Sequence, residues 1–116
     1  MGTGLRWIVL AALAGASATA CDRRVAAGSV DGREIFATAC ATCHGADGAP
    51  PAAMIAQLGV RDLRSPQFRA RVTAELVEQQ VLRGSPNKLM PSFASALSAE
   101  QVRAVARFVA QELVRR

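Results

Sequence analysis

Histidine and the larger aromatic residues are scarce in this 116-residue chain, which contains one histidine, one tryptophan and no tyrosine. The tryptophan, Trp7, lies among the first twenty residues, so the rest of the chain has no tyrosine or tryptophan for stacking on bases. The formal net charge of +5 is mild, and arginines are scattered from Arg23 to Arg116. Such scattered charge is typical of a solvated surface. We therefore expect no nucleic-acid partner.

The first twenty residues have the pattern of a signal peptide. Residues 1–6 are short and include Arg6, residues 7–15 form an uncharged apolar run, and residues 18–20 are the small residues that precede a cleavage site. The apolar run is too short to span a bilayer permanently. We therefore expect an exported protein on the periplasmic side, with a signal peptide over residues 1–20.

Cys21 follows Ala-Thr-Ala, and this junction resembles a bacterial lipoprotein signal, in which the cysteine after the cut is acylated. Cleavage by the ordinary signal peptidase is the alternative, and it would leave a free N-terminal thiol. Because a reactive thiol is a liability outside the cell, we expect lipidation of Cys21. Residues 21–30 are small and polar and would form a tether, which lets a domain over residues 31–116 reach membrane-bound partners.

The other two cysteines, Cys40 and Cys43, are followed at once by the sole histidine, His44. This C-x-x-C-H string is typical of covalent haem attachment, in which two thiols reach the vinyl groups on one porphyrin edge and the imidazole meets the iron. Zinc would need a fourth ligand, and no second histidine is available, while Cys21 lies at the export junction. The motif therefore predicts one haem c bonded to Cys40 and Cys43 and ligated by His44.

Alternation of apolar and polar residues with a period of two is also absent over any length that would form a strand. A thioredoxin-like dithiol site, which needs strands, is therefore disfavoured. Capping and periodicity signals instead predict three to five helices. The predicted features are a helix from Asp31 or Ser29 to Ala39, a turn around residues 52–58, a short helix opened by Ser65 and Pro66, a helix from Thr73 to a left-handed stop at Gly84, and a last helix opened by Ser98 with Gln101.

Long loops separate these helices, and in so small a domain long loops usually carry a function. A buried cofactor would explain them, because the loops can pack on it. The iron's sixth ligand decides between electron transfer and binding of small molecules. Met90 stands in LMPSF, where Pro91 stiffens the loop and Phe93 can cover the ring, whereas Met54 in PAAMIAQL suits ordinary packing. We expect Met90 to be the ligand.

These motifs together resemble the class I c-type cytochromes over nearly the whole of residues 31–116. The resemblance rests on Gly32, Phe36, the CATCHG string, the stretch from Gly59 to Leu63, Arg83-Gly84, MPSF, and LSAEQV leading to Phe108. It implies an all-α, small cytochrome c fold whose long loops wrap one covalently bound haem. It also implies that the first and last helices cross beside the haem, with Gly32, Phe36 and Phe108 at the crossing.

The resemblance has further implications for the ligands of the iron. The methionine of the M-P pair, Met90, is implied as the distal ligand opposite His44. A proline carbonyl often accepts a hydrogen bond from the proximal histidine in this family, and Pro50 or Pro51 would supply it here.

The expected function is one-electron transfer by a monomeric, single-haem cytochrome. Its partners would be membrane-bound redox proteins, met at the membrane surface or in the periplasm, and it would not itself be an enzyme. Two alternatives stay open at this point. The chain could be the haem subunit of a larger oxidoreductase, or a haem protein that binds small molecules because Met90 is absent from the iron.

Overall fold

The structure is a computed structural model and describes residues 28–116. The predicted signal peptide and Cys21 lie outside the described residues, as does most of the predicted tether. Within residues 28–116 all regular secondary structure is helical, which confirms the predicted all-α class. The helices are α1 (Gly32–Ala39), α2 (Ala41–His44), α3 (Ala52–Leu58), α4 (Pro66–Arg69), α5 (Ala74–Arg83) and α6 (Ala99–Arg107).

Side-chain caps open four of these helices at the residues that the sequence predicted. Each cap accepts a hydrogen bond from a backbone N–H group that the first turn would otherwise leave unpaired. The cap is Asp31 for α1, Ser65 for α4, with Pro66 at the first helical position, Thr73 for α5, and Ser98 for α6. Ser98 and Gln101 form the full capping box, so the start of α6 is set locally.

Helices α1 and α6 cross at Gly32, as the family resemblance implied. A Cβ atom placed on Gly32 would lie 2.2 Å from the carbonyl oxygen of Ala104, so only glycine allows this approach. Beside the crossing, the rings of Phe36 and Phe108 lie with their centroids 5.7 Å apart and their planes tilted by 53°. This tilted geometry is favourable for aromatic pairs.

One apolar core joins α1, α5 and α6 with the chain that follows α6. Its buried members are Ile35, Phe36, Leu63, Val81, Leu97, Val102, Ala104, Val105, Phe108, Val109, Leu113 and Val114. Seven of the twelve lie in α6 and in the helical turns that follow it, because the apolar residues there recur at three- and four-residue steps. Cys40 and Met90 are partly buried against the same core, so two of the predicted site residues lie at its edge.

Three details differ from the sequence prediction. Residues 28–116 contain six α-helices and not three to five, because the turn over Ala41–His44 forms a helix of its own, α2. The last helix is not a continuous α-helix, since Phe108–Glu112 forms a π-helix and Leu113–Arg115 a 3-10 helix. Gly84 has a φ of 71° but a ψ of −169°, so it is not the left-handed helical stop that was predicted. The extended ψ directs the chain into the loop that contains Met90. Among residues 28–116, no helix is long and apolar enough to cross a bilayer.

Candidate haem site

The C-x-x-C-H motif occupies the junction between α1 and α2. Cys40 ends α1 and precedes α2, whose last two residues are Cys43 and His44. The backbone N–H groups of Cys43 and His44 both donate to the carbonyl oxygen of Cys40, at 3.2 and 3.0 Å. Cys40 and Cys43 are not joined by a disulfide, so both sulfurs can bond a cofactor. A single tight turn therefore carries the two thiols and the imidazole.

A tight backbone turn follows the histidine. Gly45 has a φ of 79°, and a Cβ atom there would lie 2.2 Å from the carbonyl oxygen of Ala49. Only glycine fits this position without displacing the neighbouring backbone. The turn directs the chain away from the motif and leaves Cys40, Cys43 and His44 facing one cavity.

That cavity has a volume of about 580 Å³, within the usual range for pockets that bind cofactors. Its lining is mainly apolar and includes Phe36, Leu58, Val60, Leu63, Phe68, Val72, Leu76, Val77, Val81, Leu89, Val105 and Val109. Leu58, Leu76 and Leu89 remain 38 to 53% exposed, which is unusual for large apolar side chains that share a pocket. A flat apolar group such as a porphyrin would cover them, so the lining fits a haem.

His44 is oriented by the backbone of a later segment. Its Nδ1 atom lies 3.2 Å from the carbonyl oxygen of Arg61, and an Nδ1–H group would donate to that oxygen. This hydrogen bond leaves Nε2 for a metal. Burial lowers the pKa of His44, while the Arg61 hydrogen bond raises it to a smaller extent. The neutral imidazole, which is the form that binds iron, is therefore favoured.

The contact with Arg61 corrects the expectation that Pro50 or Pro51 would orient the histidine. The carbonyl oxygen of Pro51 instead accepts from the N–H groups of Met54 and Ile55, at 2.9 and 3.3 Å, and so opens α3. The expectation was wrong because the approach of Arg61 to His44, seventeen residues earlier in the chain, is a tertiary contact.

The thiol of Cys40 lies partly buried at the edge of the core. Burial, followed by the nearby Cys43, raises the pKa of Cys40 to about 11. Before a haem is attached, Cys40 is therefore a protonated thiol at neutral pH. A neutral, partly buried sulfur is compatible with an apolar partner at this position.

Met90 lines the same cavity as His44. Its loop is held at both ends by hydrogen bonds. The N–H of Ser85 donates to the carbonyl oxygen of Met90 at 2.9 Å, and the N–H of Met90 donates to Oγ of Ser85 at 3.0 Å. Beyond Met90, the N–H of Phe93 donates to the carbonyl oxygen of Val81 at 2.9 Å. Met54, by contrast, lies on α3 and is not part of the cavity lining.

Sequence reasoning missed several residues at this site. Arg61 and Arg71 both line the cavity, and the side chain of Gln80 donates to the carbonyl oxygen of Gly84 at 2.8 Å. The arginines carry no local signal, because thirteen of the fourteen basic residues are arginines spread along the chain. Among residues 28–116, no three side chains of the His, Cys, Asp and Glu types lie together as a metal-ion cage.

An all-helical fold with a C-x-x-C-H turn facing an apolar cavity defines the class of protein as a c-type cytochrome. Comparison with known families agrees, since residues 29–109 match the family described as "Cytochrome C oxidase, cbb3-type, subunit III". The chain belongs to this family. Its cofactor is accordingly haem c, covalently attached and containing iron, and its general role is that of a haem electron-transfer protein.

Solved structures of a c-type cytochrome are also similar to this chain. The KustC0563 c-type cytochrome is similar to this chain with a TM-score of 0.61 and 31% identity, over 69% of this chain and 94% of that one. A Tyr-to-Phe mutant of the same cytochrome gives a TM-score of 0.61 and 32% identity, over 70% and 96% of the respective chains. No curated protein sequence matches the chain.

Proposed function

We propose that this chain is a monomeric one-electron carrier whose haem would be held by bonds to Cys40 and Cys43 and by His44 and Met90 as the ligands of its iron. The single observation that carries the proposal is that these four side chains line one apolar cavity. The haem iron supplies a reversible change between two oxidation states. With His44 and Met90 both bound to the iron, no position would remain for a substrate, which favours a carrier over an enzyme.

The protein's own residues would set the conditions for that exchange. Arg61 holds the ring of His44 through its backbone carbonyl, and Ser85 holds the backbone of Met90. A thioether ligand favours the reduced iron and so raises the reduction potential. Apolar side chains such as Leu76 and Leu89 would exclude water from the ring. Little rearrangement would then accompany electron transfer.

Carbon monoxide binding tests the closure of the iron by Met90. We expect the reduced wild-type protein to bind carbon monoxide poorly at neutral pH and the Met90→Ala variant to bind it readily. Met54→Ala is the matched control, since Met54 is not part of the cavity lining, and it should behave as wild type. Ready binding by the wild-type protein would contradict the two-ligand proposal. Absence of haem after denaturation would contradict covalent attachment.

The location of the protein is a separate proposal, supported by the signal-like pattern of residues 1–20 and by Cys21 at its end. Export to the periplasmic side and acylation of Cys21 would hold the cytochrome near membrane-bound redox partners. A labelled fatty acid should enter the wild-type protein and not the Cys21→Ser variant. Release of the wild-type protein by a salt wash alone would contradict the lipid anchor.

A second candidate is a haem subunit of a larger oxidoreductase, and the description of the matched family is the observation that favours it. The two candidates differ in the size of the native particle. After mild solubilisation of membranes, a free carrier should elute as a monomer, whereas a subunit should elute together with other haem or metal-containing chains.

A further inference from the structure

The cavity contains an uneven set of charges. Of all its lining residues, only Arg61 and Arg71 carry a permanent charge, and no aspartate or glutamate lines it. Both arginines are exposed, so they lie where the cavity meets solvent. Both also belong to residues 59–72, a segment that includes α4 and contributes much of the apolar lining. The permanent charge on the lining of this mainly apolar cavity is therefore entirely cationic.

Neither arginine is neutralised by the rest of the described chain. The ion pairs among residues 28–116 join Arg33 to Glu112 and Arg64 to Asp47. Arg71 donates from Nε to the carbonyl oxygen of Gln67 at 3.3 Å, which leaves its terminal nitrogens available. The guanidinium of Arg61 has no hydrogen bond within residues 28–116, although its backbone oxygen faces His44. The two arginines that line the cavity therefore have no acidic partner within residues 28–116.

A haem has two carboxylates, the propionates, on one edge of an otherwise apolar ring. Placing a carboxylate beside apolar side chains is costly unless it is paired. A guanidinium matches a carboxylate with two parallel hydrogen bonds and is the preferred partner in such a setting. The cavity provides two cations for two carboxylates. The polar residues Gln80 and Ser85 are already engaged by Gly84 and Asn87.

The geometry points to Arg61 and Arg71 as the site that binds the two haem propionates. This inference rests on the proposed function, because it requires the haem to occupy the cavity. Arg61 then acts at two places, since its carbonyl oxygen orients His44 while its guanidinium binds a propionate. Ring rotation of the histidine and placement of the haem edge are thereby coupled through one residue. Arg61 and Arg71 are both positioning residues, and their positive charges also favour the reduced iron.

The test is the midpoint potential of the haem-loaded protein at neutral pH in Arg61→Gln, Arg71→Gln and the double variant. We expect each single substitution to lower the potential and the double variant to lower it furthest. Infrared spectra of protein containing haem labelled at the propionate carboxyls provide a second readout. The labelled carboxylate bands should shift in each variant, because a bidentate partner has been removed.

Arg69→Gln is the matched control, because Arg69 lies on α4 and is not part of the cavity lining. Arg69→Gln removes one positive charge from the same part of the chain. It should have the infrared bands of wild type, and its midpoint potential should change less than that of either cavity variant. Replacement of both arginines by lysine keeps the two positive charges, so this variant should retain most of the wild-type midpoint potential. It therefore tests the role of the charges even if the double glutamine variant folds poorly. The inference is overturned if Arg61→Gln and Arg71→Gln match the control in both readouts. A wild-type protein without covalent haem would contradict the proposed function instead.

Discussion

Ser85 and Met90 are joined by two reciprocal hydrogen bonds that close a six-residue loop. The N–H of Ser85 donates to the carbonyl oxygen of Met90 at 2.9 Å, and the N–H of Met90 donates to Oγ of Ser85 at 3.0 Å. The Ser85 hydroxyl donates in turn to Oδ1 of Asn87 at 2.6 Å, and the same oxygen accepts from the N–H of Leu89 at 3.1 Å. The position of Met90 therefore depends on Ser85, which lies just after the end of α5.

Replacing that serine should loosen the methionine without removing it. Ser85→Ala deprives the Met90 N–H of its acceptor, which costs about 1 kcal/mol of folding free energy. We expect carbon monoxide to bind the reduced variant faster than it binds wild type, because the loop opens more often. Ser95→Ala is the control, since Ser95 is exposed and outside the cavity lining. Equal rates in the two variants would show that Ser85 does not restrain Met90.

Gly84 should tolerate no side chain. A Cβ atom there would lie 2.6 Å from the carbonyl oxygen of Met90 and 2.8 Å from the nitrogen of Ser92, and both are backbone atoms. Strain at its φ of 71° adds to this overlap, so Gly84→Ala should cost about 3 kcal/mol. Chemical denaturation of the haem-loaded protein measures the loss. Gly28→Ala is the control, because Gly28 has a φ of 84° but no atom within 4 Å; it carries the strain without the overlap and should cost only about 1 kcal/mol.

The crossing of α1 and α6 should be equally sensitive. Gly32→Ala would place a Cβ atom 2.2 Å from the carbonyl oxygen of Ala104 and force the helices apart. We expect a loss of about 3 kcal/mol or less in the free energy of unfolding, the range found for overpacked cores. Ala37→Ser adds one atom to the exposed face of the same helix and should cost far less. Similar values for the two variants would contradict a tight crossing.

Loss of the haem should unfold much of the domain. With Cys40 and Cys43 both changed to alanine, the covalent bonds cannot form, and a cavity of about 580 Å³ would be left among apolar side chains. We expect a lower helix content by circular dichroism and strong binding of a hydrophobic dye. Cys21→Ala removes the third cysteine and should keep the haem and the helix content. A cooperative, dye-free unfolding transition in the double variant would contradict this view of the core.

Local signals in the sequence account for much of the fold. Ser98 with Gln101, and Thr73 at the start of α5, are caps whose hydrogen bonds reach only three residues along the chain. Because these contacts are local, their outcome could be predicted without the tertiary structure. The conformation of Gly84 could not be predicted in this way, because its extended ψ depends on the loop packed against it. The π-helix after α6 also had no local signal.

The sequence by itself determined the class of cofactor, because Cys40, Cys43 and His44 are adjacent in the chain and their spacing is the chemical requirement for haem attachment. Tertiary structure decided which groups meet that turn. It brought the Arg61 carbonyl to His44, and it brought the Met90 loop and the two arginines Arg61 and Arg71 to the lining of the same cavity. These contacts join residues far apart in the chain, and their geometry follows from how α1, α5 and α6 pack.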